Sequence, residues 1–515
     1  MTHTKTVPRQ TLRVVRIVLA LLVFVGLTFF MVDAVGLLPA GVSLLAGIQL
    51  VPALMAVSLG TLAVLLVLTL LVGRVYCSVV CPLGIWQDVV AWLSRRLRPK
   101  KHYRYRPARN WLRYSILGIT AVAWLAGFSQ LLVLLDPYSA YGRICTSLFK
   151  PLYVWGNNLL AAVFSKAGNY TFYHLDVPYG GILTLTVSLL TLAVVSTLAW
   201  TRGRIWCNTL CPVGALLSIL ARRPLFHLHI DASACNHCGR CAAHCKASCI
   251  DANTQTIDAS RCVDCFDCVT ECRQGAIRLG RAPRKASPAQ PDASRRRFLL
   301  ALGLTGASAL RSAAARKKSI IPGGSKVEIH RQQPVMPPGA GSRKDFLDRC
   351  TACHLCVSQC PSHVLKPSVG EYGLEGFLQP VMKYENAFCN YDCHRCGDVC
   401  PTHALRPLSV DEKHRTQMGR VVFIRENCVV QRNETSCGAC SEHCPTQAIS
   451  MVPYKYGLTI PQVNPDICVG CGGCEYICPA RPFKAVYVEG NDPQGEAVAF
   501  GRGEAIMEDI SDFGF

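Results

Sequence analysis

Thirty cysteines stand in this 515-residue chain, and twenty-four of them fall into six groups of four. Two groups share one short module, Cys235, Cys238, Cys241, Cys245 and then Cys262, Cys265, Cys268, Cys272, both spaced C-x2-C-x2-C-x3-C. Four more follow toward the C-terminus: Cys350, Cys353, Cys356, Cys360; Cys389, Cys393, Cys396, Cys400; Cys428, Cys437, Cys440, Cys444; and Cys468, Cys471, Cys474, Cys478. Closely spaced thiolates with a fourth just behind are what a cubane 4Fe-4S cluster requires of its ligands. Such clusters carry single electrons, so a chain able to hold about six of them reads as a conductor.

Two rival uses of these cysteines fail on physical grounds. Disulfide frameworks belong to small secreted domains without a sizeable core. Structural zinc takes two close pairs across a longer loop, not three evenly spaced thiolates with a fourth behind. In two-cluster ferredoxins the fourth cysteine of each group reaches across to the other cluster. Cys235, Cys238, Cys241 and Cys272 are therefore expected around one cluster, and Cys262, Cys265, Cys268 and Cys245 around its neighbour.

The elements that position these loops leave their own repeat. After the fourth cysteine comes a small or branched residue and then an aliphatic one: Ala276 and Ile277, Val364 and Leu365, Ala404 and Leu405, Ala448 and Ile449. Each such pair is expected to begin a short strand closing its loop. Cys249 and Ile250 occupy the same positions after Cys245, so Cys249 reads as a buried small residue and not as a ligand. Lys246 and Arg273 stand where proline usually follows the fourth cysteine, which leaves those loops less stiff.

Hydropathy is concentrated in the first two hundred residues. Val14–Val35, Pro52–Val72, Tyr114–Leu135 and Ile182–Trp200 are each apolar enough and long enough to span, giving an α-helical membrane domain of about four spans. Gly41–Val51 and Pro151–Phe164 are apolar but read as interfacial. The predicted fold class is that membrane domain plus α+β modules of the bacterial-ferredoxin type. Its divisions are residues 1–220 (membrane), 221–280 (two-cluster module), 281–345 (linker), 346–490 (four-cluster domain) and 491–515 (tail). Lys and Arg crowd residues 95–113 between the second and third spans, which sets both ends of the membrane domain in the cytoplasm. The net charge of +21 is on this view a topology signal. The basic residues flank spans and do not alternate with aromatics on a soluble face, so nucleic acid is excluded as a partner.

The spans carry a second, shorter repeat. Gly73-Arg74-Val75-Tyr76-Cys77 leads to Cys81-Pro82-Leu83-Gly84, and Gly203-Arg204-Ile205-Trp206-Cys207 leads to Cys211-Pro212-Val213-Gly214. Each follows an inward-running span, so both C-x3-C-P pairs emerge on the cytoplasmic face, where a two-fold arrangement would bring four thiols together. Cys81 and Cys211 should mark helix breaks, with Pro82 and Pro212 opening new helices. The stretch after Pro82 reads as an amphipathic surface helix. For Cys77, Cys81, Cys207 and Cys211, a further metal centre, dithiol–disulfide cycling and simple packing all stand open, with a redox or cofactor role favoured. Cys145, on the outer side beside Arg143, reads as an interfacial residue without a special role.

Ser294-Arg295-Arg296-Arg297-Phe298-Leu299-Leu300 has the form of a twin-arginine export signal, followed by a short apolar run to Leu310. Clusters are built in the cytoplasm, so a cluster domain destined for the outside must cross already folded. Alanines 307, 309, 313 and 315 would permit cleavage beyond the run. The competing reading is a basic linker with a peripheral hairpin.

Residues 10–280 resemble the NapH and MauN family of membrane quinol-dehydrogenase components, and residues 290–485 are similar to the NapG and MauM four-cluster ferredoxins. The telling details are the eight residues between Cys428 and Cys437 and the three between Cys389 and Cys393. The resemblance implies a bacterial inner-membrane, multi-pass protein in lipid. It would take electrons from the quinol pool, keep its first module in the cytoplasm, and pass electrons from a periplasmic polyferredoxin to a reductase or c-type cytochrome. It further implies pairing of the first C-terminal group with the fourth and of the second with the third, and, with quinone as a cofactor, a place in a quinol dehydrogenase. Asp136 and Tyr138 are the candidates for a quinol head group, against an ordinary helix cap for Asp136. No catalytic constellation stands out. Two alternatives remain: a maturation factor for a metal enzyme, as the similar CcoG and NosR families suggest, and a cytoplasmic relay fed by soluble ferredoxin.

Overall fold

The computed structural model describes residues 9–33, 40–98, 102–177, 180–281 and 327–498, and the chain divides into two compact units. The twin-arginine segment with its apolar run lies outside the described residues, as does the tail beyond residue 498.

Among the described residues of the first unit, two helices are long and apolar enough to cross a membrane, Gln10–Val32 and Ile182–Arg202. Two other expected spans are broken. The second consists of Leu50–Met55 and Leu59–Val72, divided by Val57 in left-handed backbone (φ 54°); the third consists of Asn110–Leu125 and Gln130–Leu135, divided at Gly127 (φ 82°). The apolar stretch from Pro151 lies in a 17-residue helix, Lys150–Lys166.

The short repeat is built alike in both copies. Leu59–Val72 and Ile182–Arg202 each end at a glycine of positive φ, Gly73 (105°) and Gly203 (68°), conformations that a side chain would strain. A short turn of helix carries Cys77 or Cys207, and a new helix opens on proline, Pro82–Leu97 or Pro212–Leu220. Cys81 and Cys211 are the extended residues before those prolines (ψ 114° and 118°), as the steric restriction on a pre-proline residue demands. Pro82–Leu97 packs on Ile182–Arg202, where Trp86 donates to Ser196 (3.0 Å) and Ser94 to the Trp200 carbonyl (2.8 Å).

The module that follows is two antiparallel strand pairs and two short helices. His227–Ile230 pairs with Ile277–Gly280, and Ile250–Asp251 with Thr256–Ile257; Arg240–His244 and Asp267–Glu271 lie between. Its core joins Leu228, Ile250, Val269 and Ile277 to Cys245, Cys249 and Cys268.

The second unit repeats this design. Leu365–Pro367 pairs with Pro380–Met382, Ile449–Pro453 with Thr459–Val463, and the longer Thr416–Phe423 with Val486–Glu496. Strands thus open at Ile250, Ile277, Leu365 and Ile449. None opens at Leu405: Pro407 follows closely, and the Arg406 N–H goes instead to the Gly339 carbonyl (2.9 Å).

Candidate iron-sulfur sites and the four-thiol junction

The cysteine loops share a backbone signature. The residue before the second cysteine is left-handed at His237, Asp264, Ala352 and Gly470, as is the residue after it at Gly239, Phe266, His354 and Gly472. The third residue beyond the fourth cysteine is left-handed too, at Ser248, Gly275, His363, His403 and Gln447. Such residues curl the chain so that successive N–H groups turn inward, the backbone nest that receives anions. A non-glycine there costs about 1–2 kcal/mol, strain that concentrates at functional sites. The two groups with widened spacing keep the second of these features but lack the first, since His394 (φ −121°) and Gly438 (φ −124°), after their second cysteines, stand in ordinary backbone.

In the module, Cys235, Cys238, Cys241 and Cys272 line one pocket. The fourth thiol is thus brought from the other group. Cys268 lies within electrostatic reach of Cys265, Cys262 and Cys245, the reciprocal set. Cys249 is buried as expected, and its Sγ stands 3.5 Å from that of Cys245.

In the second unit, Cys444 joins Cys468, Cys471 and Cys474 around one pocket. Cys440 is surrounded by Cys437, Cys478 and Cys428, and Cys396 by Cys389, Cys360 and Cys393. Cys350, Cys356 and Cys400 pack against one core. The third C-terminal group therefore pairs with the fourth and the first with the second, which corrects the pairing that the family resemblance implied. Neighbouring groups exchange their fourth cysteines because a short strand pair, not a long crossover, joins them.

Burial pushes the Cys440 thiol up to about 12, reinforced by Cys437, Cys478 and Cys428, and Cys265 likewise to about 12. Four buried thiolates repel one another, so only a cationic core stabilises them together. Among the described residues no three His, Cys, Asp or Glu side chains are close enough to share one metal ion. The quartets suit a polynuclear cluster, not lone zinc.

The module is fastened to the glycine–arginine turns. The Arg204 N–H donates to the Lys246 carbonyl (2.8 Å), and a Cβ on Gly203 would stand 2.3 Å from that oxygen. On Gly73 it would stand 2.8 Å from an oxygen of Asp264. Asp88 accepts from Arg204 Nε (2.7 Å) and Lys246 Nζ (3.1 Å) and also pairs with Arg16. Burial opposes ionisation of Asp88, yet Arg204, Lys246 and Arg16 together hold it well below the usual carboxylate range. Lys246 also reaches Asp267 (3.1 Å), which pairs with Arg13 (3.0 Å).

Part of the basic segment has a second use. Tyr103 donates its N–H to the Ala243 carbonyl (2.9 Å), Arg261 donates to the Arg106 carbonyl (2.6 Å), and Arg113 is buried. Cys77, Cys81, Cys207 and Cys211 are all buried, with Cys81 in electrostatic reach of the other three. Cys145 is fully buried, at the start of a π-helical turn over Cys145–Phe149. Asp136 caps the Pro137–Ile144 helix through Ser139 N (2.8 Å) and Oγ (2.6 Å), and both Asp136 and Tyr138 are about 1 % exposed.

Fold and site define a ferredoxin-type iron-sulfur protein of electron transfer, and the known proteins narrow it. A family model described as a 4Fe-4S binding domain matches residues 54–101 and 183–230, each containing one C-x3-C-P pair; models described as 4Fe-4S dicluster domains match 258–364 and 435–481. The methylamine utilization ferredoxin-type protein MauM of Methylorubrum extorquens is 31% identical over 196 residues, covering 37% of this chain and 87% of that protein. Escherichia coli K12 NapF is 27% identical over 154 residues (30% of this chain, 85% of NapF), and its NapG 29% over 153 (28% and 65%). The chain belongs to this MauM family of ferredoxin-type proteins. No solved structure matches it.

Proposed function

We propose that the chain is a bacterial inner-membrane conductor that takes electrons from quinol and delivers them to a periplasmic reductase or c-type cytochrome. About six 4Fe-4S clusters carry them. In the first module the ligand sets are Cys235, Cys238, Cys241 with Cys272, and Cys262, Cys265, Cys268 with Cys245. Toward the C-terminus they are Cys350, Cys353, Cys356 with Cys400; Cys389, Cys393, Cys396 with Cys360; Cys428, Cys437, Cys440 with Cys478; and Cys468, Cys471, Cys474 with Cys444. Four hydrophobic segments, two of them broken helices, cross the membrane in this reading. The cysteine loops supply nests and thiols, and a bound cluster supplies one-electron redox chemistry.

The observation that carries the proposal is the fastening of a ferredoxin module, through Lys246 and Asp264, to the turns ending two apolar helices. That attachment couples clusters to a membrane rather than leaving them on a free carrier. The MauM relative is a methylamine utilization ferredoxin-type protein, which favours service to a redox chain. Protease treatment of a C-terminal epitope in intact spheroplasts, with and without a working twin-arginine translocase, tests the direction of delivery. Digestion that depends on the translocase is expected; protection in both strains defeats export and leaves a cytoplasmic relay.

A further inference from the structure

We propose that Cys77, Cys81, Cys207 and Cys211 hold a further iron-sulfur cluster as four thiolates, beside the cluster of Cys262, Cys265, Cys268 and Cys245. The sulfurs are already addressed by donors. Gly214 N–H points at Cys211 Sγ (3.3 Å), Gln87 Nε2 at Cys207 Sγ (3.2 Å) and Arg74 Nη2 at Cys77 Sγ (3.7 Å). Each is a hydrogen bond that strengthens when its acceptor is an anion.

The second observation is buried positive charge in excess of its carboxylates: Asp264 lies within electrostatic reach of Arg74, and Asp258, within reach of Arg113, is already paired with Arg261 (2.6 Å). Arg74 and Arg113 are 0% and 1% exposed. Their donors go to Asn208, to the Ser260 carbonyl and to the carbonyls of Cys207 and Gly214, while Arg74 Nε and Arg113 Nε and Nη1 have no partner. Neither forms an ion pair among the described residues, whereas Arg204 is balanced by Asp88. A buried guanidinium whose charge is only partly offset is unfavourable. Dithiols and disulfides are both neutral and leave that charge standing. A four-thiolate cluster is anionic in either redox state and offsets it. Packing alone explains neither the cations nor the donors.

The path onward is short. Arg74 Nη1 bonds the Ser260 carbonyl (3.2 Å), two residues before Cys262, and Asn208 bonds the Ala247 carbonyl (3.3 Å), two after Cys245. The centre would pass one electron to the neighbouring cluster, itself oxidised and the neighbour reduced, with no bond broken and no proton moved. Its place in the chain of clusters rests on the proposed ligands of the module; its existence does not.

The test is iron and acid-labile sulfide per full chain, purified anaerobically in detergent, for wild type, Cys77→Ser/Cys207→Ser and a Cys265→Ser control. One cluster's worth of both should be lost in each variant, with the remaining EPR signals kept. Loss in the control alone overturns the inference and leaves the module assignment standing; loss in the double variant alone does the reverse. Arg113→Gln keeps every ligand, and should lower the potential of one signal that the double variant abolishes. Zinc at the junction in place of iron, or unchanged potentials in Arg113→Gln, overturns the inference.

Discussion

Cys249 offers a measurable test of how the module sets its potentials. Its Sγ is 3.5 Å from Cys245 Sγ, and it is 2% exposed, so water does not compete for the contact. With Cys245 bound as a thiolate, only Cys249 can donate. A net hydrogen bond contributes about 0.5–1.5 kcal/mol, with a thiol donor toward the low end. At about 59 mV per 1.4 kcal/mol for a one-electron couple, this gives about 20–60 mV. The reduced cluster places more negative charge on its sulfurs, so loss of the donor lowers the potential. Cys249→Ala should therefore shift one component of an EPR-monitored redox titration downward by about that amount, while Cys249→Ser retains a donor and shifts it less. Equal shifts in the two variants would show that packing, not hydrogen bonding, is responsible. No shift in either would refute the reasoning.

Asp88→Asn leaves Arg204, Lys246 and Arg16 without their shared carboxylate and should cost about 3–5 kcal/mol, read as a lower unfolding midpoint in detergent. Because Asp88 is held below its unfolded value, its contribution is full above about pH 4 and is lost only as pH falls further. The acid-side slope of stability should shrink in the variant. Gly214→Ala places a Cβ 2.1 Å from the Cys207 carbonyl oxygen and should disrupt the junction, seen as protease sensitivity near residue 210. For the exchanged pairing, Cys360→Ser with Cys389→Ser should cost about four iron atoms per chain, one cluster, while Cys360→Ser with Cys350→Ser should cost about eight. Equal losses from the two double variants would contradict the pairing.

What the sequence disclosed and what it concealed divide along physical lines. Ligand spacing is a local property, so Cys235 to Cys272 could be grouped from spacing, and their exchange was expected from the way two-cluster ferredoxins are built. The strand at Ile277 and the break at Cys81-Pro82 were legible for the same reason. Partner choice among the four C-terminal groups depends on how a chain of similar loops folds back, which local spacing does not encode. The breaks at Val57 and Gly127 left no trace because a helix can fracture without losing hydropathy. Residues 95–113 read as a topology signal, since charge count says nothing of contacts; Arg113 is buried and the Tyr103 backbone straps the module. The left-handed positions were hidden wherever histidine, serine or aspartate, not glycine, occupies them.

The two quartets of the module stand in different surroundings, and the difference gives the first unit a polarity. Cys268 and Cys245 are buried, and Asp264, between Cys262 and Cys265, meets the Gly73 turn. In the other quartet Cys238 is exposed and Cys235, Cys241 and Cys272 are half-buried. Electron exchange falls steeply with distance, so in the proposed reading a soluble partner would meet the module at Cys238, and the C-x3-C-P junction would meet it at Cys245 and Cys262. Fixing that order requires rigid attachment, because a module free to turn would present either quartet to either side. Asp88 and Lys246 supply the attachment within one residue of the Cys245 ligand, and the glycines at 73 and 203 let the backbones approach closely enough to hold it. The same charges that secure the module would therefore also fix which of its two quartets faces each exchange partner.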